Sequence, residues 1–299
     1  MTTKPINKQK AKVARLTVTK PSRLMDFLIE ELKGKSRTTI KSLLAHRQVS
    51  VGTHTITQFD YPLEPNQSVT INWGVVAGQT RYRGVRILFE DPYLIVIDKE
   101  AGMLSIATAK EKLLTTYSIL SSHVKKEDPT NRIFVVHRLD RDTSGVMMFA
   151  KSEKVQEIMQ KEWQEAVIRR SYIAVVEGTV EKDKDTIRSF LKENKMLFMY
   201  STKVPGEGDE AITHYKVLKR SEEFSLLEVE LETGRKNQIR VHMKELGHPV
   251  AGDKKYGSKL NPLRRTCLHA NILAFKHPIT SEELSFETPP PHRFLTLFS

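Results

Sequence analysis

The feature that most limits how this chain can fold is a series of short apolar segments, each of strand length and each cut off by turn residues. Segments 87–89, 94–97, 133–136, 146–150, 172–176 and 226–231 are apolar or β-branched. Helical patterns fall between them, near 113–125, 153–166 and 236–246. Turn-separated strands with interspersed helices argue for an α+β domain, built on a mixed or largely antiparallel β-sheet with flanking helices, over residues 85–299. There is no internal repeat and no low-complexity tract.

Ahead of this region the texture differs. Residues 21–74 read as a small N-terminal α/β module. Leu24, Phe27, Leu28 and Leu32 have helical spacing and Gly34 is a stop. Ser36 is placed to cap a second helix whose apolar face is Ile40, Leu43 and Leu44. Short β-rich pieces follow at 49–51, 55–57 and 69–71, with Pro62 and Pro65 marking turns. Residues 75–84, flanked and punctuated by Gly74, Gly78 and Gly84, read as a linker. Residues 1–20 read as a flexible basic arm, since no acid precedes Asp26.

Charge narrows the partner. The net charge of +12 favours a polyanion such as nucleic acid. Between Lys33 and Arg47 there is no acid, and Lys35, Arg37, Lys41 and Arg47 are candidate contacts to an RNA backbone. A solvated helix face is the plain alternative. Cys267 is the single cysteine, which excludes an internal disulfide and a cysteine metal cluster. No His-Glu-x-x-His pattern is present, and no metal site is expected. No apolar run reaches the roughly 18 to 20 residues of a membrane-spanning helix, and no apolar signal core opens the chain. The expected setting is the reducing cytoplasm, away from membranes.

The chemistry concentrates in "FVVHRLDRDTSGVMMFA" at 134–150, where two apolar runs clamp a polar loop. Such a loop can be a connection whose ions pair among themselves. It can equally be a carboxylate preorganised among guanidiniums.

The segment "HRLDRDTSG" at 137–145 resembles, without a departure, the signature loop of the RluA-type pseudouridine synthases. "DKEAGM" at 98–103 is similar to the family's first motif, with Glu100 where proline is usual. "RRSYIAVVEG" at 169–178 resembles the strand with the active-site tyrosine, here Tyr172. "LETGRKNQIRVHMKELGHPVAGDKKYG" at 231–257 resembles the third motif, with Lys236-Asn237 replacing Thr-His, and "CLHANILAFKHP" at 267–278 resembles the closing strand. "SRLMDFLIEEL" followed by "SRTTIKSLLAHRQVSVG" resembles the alpha-L RNA-binding domain, departing at Arg47-Gln48 and Gly52-Thr53.

The resemblance implies an isomerase that turns uridines of RNA into pseudouridine. That reaction needs no redox change, phosphate transfer or external atom, so no cofactor is expected. It implies Asp140 as the catalytic carboxylate, Tyr172 as an aromatic face and hydroxyl beside the base, and Arg235 as the cation paired with Asp140. The target base is extruded into the pocket. His137 and Arg138 then fill the vacated space or hold flanking phosphates, and Ile239 walls the base. Asp142 is expected to serve the turn before Thr143-Ser144-Gly145 through backbone hydrogen bonds, and Asn237 to have no proton-transfer role. Large-subunit ribosomal RNA is the expected substrate, transfer RNA the alternative, and the enzyme is expected to be a monomer. The rival readings are a non-catalytic RNA-binding or ribosome-assembly protein and a nucleosidase that would release free uracil.

Overall fold

The computed structural model describes residues 12–35, 37–45, 48–52, 54–73, 80–108, 111 and 113–298. Packing divides the chain into two units, Met1–Thr80 with Ile87–Ile95, and Arg81–Arg86 with Val96–Ser299.

The N-terminal part contains strands β1 (Lys12–Thr17), β2 (Ser22–Arg23), β3 (Val49–Val51), β4 (His54–Thr55), β5 (Pro62–Leu63) and β6 (Ser68–Trp73), and helices α1 (Leu24–Glu31) and α2 (Arg37–Ala45). β1, β6, β3 and β4 form one antiparallel sheet in that order, and β2 pairs with β5. The two helices bury the predicted stripes: Leu24, Leu28, Ile40 and Leu44 are fully enclosed with Val49, Val69 and Ile71. The chain leaves α1 through Gly34, whose φ of +92° is a backbone state that suits glycine.

Two expectations fail here. The basic arm is not free throughout, because residues 12–17 pair with β6 from Lys12↔Trp73 to Thr17↔Ser68. Ala14 and Leu16 pack on the core while Arg15 and Thr17 face out, a two-residue period hidden among the lysines. Residues 1–11 lie outside the described residues. The linker reading also fails at its C-terminal end, where Arg81 and Tyr82 pair with Arg86 and Val85 in a hairpin closed at Gly84; residues 74–79 lie outside the described residues.

The elements that follow are β7 (Arg81–Tyr82), β8 (Val85–Glu90), β9 (Leu94–Lys99), α3 (Thr116–Val124), β10 (Phe134–Val135), β11 (Ser144–Ala150), α4 (Glu153–Lys161), α5 (Trp163–Ala166), β12 (Val167–Glu177), β13 (Lys184–Glu193), β14 (Met199–Thr202), β15 (Asp209–Arg220), β16 (Phe224–Leu231), α6 (Gln238–Glu245), β17 (Leu268–Lys276), β18 (Glu283–Glu287) and α7 (His292–Leu295). The sheet of the second unit runs β14-β13-β15-β16-β12-β17-β11, with β10 on β11 and β18 on β17. Its pairs are antiparallel except β11 with β17, so the sheet is mixed and largely antiparallel as expected. β11 is buried along its whole length, which explains its unbroken apolar run. α6 packs Ile239 and Met243 onto Ala174, Val176, Leu227, Val229 and Leu268 of the central strands. That contact brings the third motif against the strand of Tyr172.

Candidate active site

The loop between β10 and β11 is held by its backbone. Lys99 is fully buried. Its ammonium donates to the carbonyls of Met103 (2.8 Å), Glu100 (3.1 Å) and Arg141 (3.1 Å). Burial lowers its pKa to about 7, against the charges of Asp142 and Asp140. Ser105 Oγ donates to Leu139 O at 2.6 Å, and Gly102 N–H to Arg141 O at 2.9 Å. Gly145 leaves the loop at φ +114°, and a Cβ there would sit 2.0 Å from Ala270 O, so no other residue fits. Glu100, at the position where proline is usual in the family's first motif, donates its N–H to Gly84 O at 2.9 Å, a bond proline lacks.

This scaffold presents Asp140 to Arg240. The Arg240 Nη1 donates to Asp140 Oδ2 at 3.2 Å and to Asn237 Oδ1 at 3.0 Å. Its other edge is a two-bond clamp on buried Asp253, Nε to Oδ2 at 2.6 Å and Nη2 to Oδ1 at 2.8 Å. The guanidinium also lies over the Tyr256 ring, 4.7 Å from its centroid. Burial works against the charge of Arg240, but the bonds and charges of Asp253 and Asp140 more than offset it, so its pKa is raised.

The expected pairing of Asp140 with Arg235 is therefore corrected. Arg235 is exposed, and its Nε donates to Glu210 O at 2.9 Å. The reason is its place before α6, in the turn, whereas Arg240 sits within the helix on the side that meets Asp140. Asn237 adopts a left-handed conformation at φ 56°, which asparagine tolerates, and its Nδ2 donates to Tyr256 Oη at 2.9 Å. Its role is positional, in line with its loss of a titratable ring.

A cavity of about 240 Å³ opens over Asp140, lined among others by Arg138, Tyr172, Arg235, Ile239 and Arg240. Burial raises the pKa of Tyr172, Arg170 opposing and Asp140 adding to the rise, so its hydroxyl stays protonated at neutral pH. Ile239 belongs to both the wall and the core. His137 does not line this cavity: its Nε2 accepts from Met148 N–H at 3.1 Å and its ring packs 5.1 Å from that of Trp163. Burial, with Arg170 adding, lowers its pKa to about 3, so the ring is neutral at pH 7. Asp142 is exposed and lies outside the cavity; the turn is closed instead by Thr143 N–H to Asp140 O at 3.2 Å. Of the N-terminal cations, Arg37 and Lys41 are exposed one turn apart on α2, Lys35 is half-buried, and Arg47 lies outside the described residues.

Arg240, Asp253 and Tyr256 went unread in the sequence. All three stand within the third motif, but only their meeting around Asp140 separates them from its other polar residues.

The comparisons with known proteins identify the family. Residues 93–245 match the RNA pseudouridylate synthase family. The RNA pseudouridine synthase YhcT of Bacillus subtilis is 38% identical over 70% of this chain and 70% of its own. The ribosomal large subunit pseudouridine synthase D of Pseudomonas aeruginosa is 34% identical over 72% of this chain and 71% of its own. A solved structure, human RNA pseudouridylate synthase domain containing 4, shares the fold at a TM-score of 0.58 and 24% identity, covering 71% of this chain and 90% of that one. The chain belongs to the RNA pseudouridylate synthase family and is an isomerase that converts uridine in RNA to pseudouridine. Among the described residues no helix is long and apolar enough to cross a membrane.

Proposed function

We propose that Asp140 is the catalytic carboxylate and that the target uridine is extruded from its RNA stack into the cavity above it. The observation behind this is the ion pair of Asp140 with Arg240, itself clamped by Asp253, at a cavity that also contains Tyr172. A carboxylate fixed in this way is aimed before substrate arrives. It serves as nucleophile or base while the glycosidic bond breaks and the ribose rejoins the base at ring carbon C5. The protonated Tyr172 offers its ring for stacking and its hydroxyl to a proton. Arg138 and Arg235, both exposed at the cavity, are placed to hold the strand of the extruded nucleotide. Lys35, Arg37 and Lys41 of the N-terminal unit contribute phosphate contacts.

The substrate we favour is large-subunit ribosomal RNA, since relatives such as that of P. aeruginosa are named for it; transfer RNA is the other outcome of the test. Joining ribose to C5 expels the C5 hydrogen, so RNA labelled with tritium at that carbon reports turnover. Wild type should release tritium without free uracil. Asp140→Asn should release none while binding RNA within about threefold, or ~0.7 kcal/mol. Near-normal release by the variant would refute Asp140. Mapping pseudouridines in ribosomal and transfer RNA from cells with and without the gene assigns the substrate.

A further inference from the structure

Two neighbouring arginines on β12 have opposite surroundings. Arg169 is exposed and pairs with Glu228 (2.8 Å) and Glu230 (2.7 Å). Arg170, on the other face of the strand, is half-buried. No carboxylate pairs with it among the described residues. Its contacts are the Trp163 ring, 5.5 Å from Cζ, and a long hydrogen bond to Glu232 O at 3.4 Å. The ring of His137, on Trp163 as well, is held neutral partly by Arg170 itself. A guanidinium has five N–H donors. A partly desolvated one with no anion is costly, and the fold supplies no anion here.

The location gives the missing anion its chemistry. Arg170 precedes Tyr172 by two residues, so both project from the same face of β12. It packs against the turn before α6, where a Cβ added to Gly234 would lie 2.6 Å from Nη1. Tyr172 and Gly234 both line the Asp140 cavity. Arg170 is outside the cavity lining itself, and its N–H groups lie against the Gly234 turn, beside the place assigned to the extruded uridine.

We propose that Arg170, backed by Trp163, is an anion subsite that takes an RNA backbone phosphate next to the nucleotide held over Asp140. This rests on the cavity being where that nucleotide sits. Trp163 holds the guanidinium plane by stacking, and its edge can meet two phosphate oxygens at once.

The test uses the full chain and total RNA, tritiated at uridine C5, from cells that lack the gene. The logarithm of kcat/KM is measured against the logarithm of salt concentration for wild type and for Arg170→Met, Arg170→Lys and Arg169→Met. Loss of one phosphate contact should shrink the slope by about 0.7 to 0.9 in Arg170→Met. Arg169→Met should leave it unchanged, because that charge is already neutralised by two glutamates. Arg170→Lys should keep the slope and lose part of the rate, since it restores charge without the paired geometry. Melting is the second readout. Arg170→Met should melt no lower than wild type, and inorganic phosphate should raise its Tm less than that of wild type. An unchanged slope in Arg170→Met overturns the proposal. A lowered Tm with an unchanged slope does so too, by making Arg170 a packing residue. Failure of the Asp140 assignment is separable, because it appears as turnover by Asp140→Asn whatever the slope of the Arg170 variants.

Discussion

The loop at 137–145 and the turn and helix at 233–245 meet at one cavity, yet they are secured in opposite ways. The loop is fixed through its backbone: Lys99 and Ser105 hold the carbonyls of Arg141 and Leu139, and Gly145 presses on Ala270. That leaves the side chains of Arg138, Asp140 and Asp142 free of structural duty. The helix is fixed through its side chains. Gln238 Oε1 accepts from Thr233 Oγ1 and Arg235 N–H, and its Nε2 donates to Ile212 O and Thr213 Oγ1. His242 bridges Ser189 and Thr213, and Arg240 is clamped by Asp253. Arg138 and Asp140 of the loop therefore face the cavity, while most polar residues of the helix are occupied in building it.

Arg240 is the exception that spans both, and replacing it should give the largest effect. In Arg240→Ala we expect turnover to fall by roughly 10³-fold, since both a charge-assisted bond and the aim of Asp140 are lost. Stability should drop by about 3–5 kcal/mol as buried Asp253 loses its partner. Arg235→Ala, by contrast, should stay within about tenfold of wild type and melt nearly normally. Single-turnover rates and urea midpoints on both variants decide this. A reversed order would restore Arg235 as the partner of Asp140.

Asp253→Asn sharpens the contrast, because Asp253 clamps Arg240 and accepts from Tyr256 N–H without lining the cavity. Arg240 keeps its bond to Asp140 but loses one of its two carboxylates, so its orientation loosens. The expected cost is on the order of 10- to 100-fold in rate with unchanged RNA affinity, consistent with small misplacement of a reacting group. A loss in affinity alone would show that Arg240 contacts RNA directly.

Each region also encloses a neutral histidine, with burial lowering His137 to about 3 and His242 to about 4. Their unfolded pKa is near 6.5, so the unfolded chain binds more protons below that value. Their contribution to stability is complete above pH 6.5 and is lost as pH falls toward 4 and 3. Together they should add a slope of at most about 2.7 kcal/mol per pH unit. His137→Gln and His242→Gln should each reduce proton uptake on unfolding, by about half a proton at pH 6.5 rising to nearly one at pH 5, measured by denaturant melts across that range. An unaltered slope would place the titration elsewhere.

This division explains what could be read from the residues alone. The strands around Asp140 were legible because β11 and β12 are buried and write their burial as apolar runs. β13 and β15 alternate polar and apolar residues with an exposed outer face, and gave no such run. The β1 period was masked by the run of basic residues in which the strand lies. In the loop the motif match pointed to Asp140, the carboxylate proposed above for catalysis. In 233–245, Arg235 and Arg240 are equally plausible as letters, and only the side of α6 that meets Asp140 tells them apart. Arg170 carries no signal in the sequence, since an unpaired cation is defined by what surrounds it.

The smallest expected effect tests the claim that the loop's side chains are separate in duty. Asp142 is two residues from Asp140 and equally acidic, and its carboxylate has no hydrogen bond among the described residues that would tie it to the turn. The turn is closed by backbone, Thr143 N–H to Asp140 O, and stays closed when Asp142 changes. Asp142 faces the other side of the loop, beside Lys99, Ser144 and Arg265, and not the Asp140 cavity. There its charge is the leading one that favours the Lys99 ammonium against burial, ahead of Asp140, and the three carbonyl hydrogen bonds of Lys99 remain without it. Asp142→Asn keeps shape and removes only that charge, so activity should stay within about threefold of wild type, or ~0.7 kcal/mol. Tritium release at saturating RNA measures it. A variant as inactive as Asp140→Asn would mean that the two carboxylates act together and that the loop has no idle side.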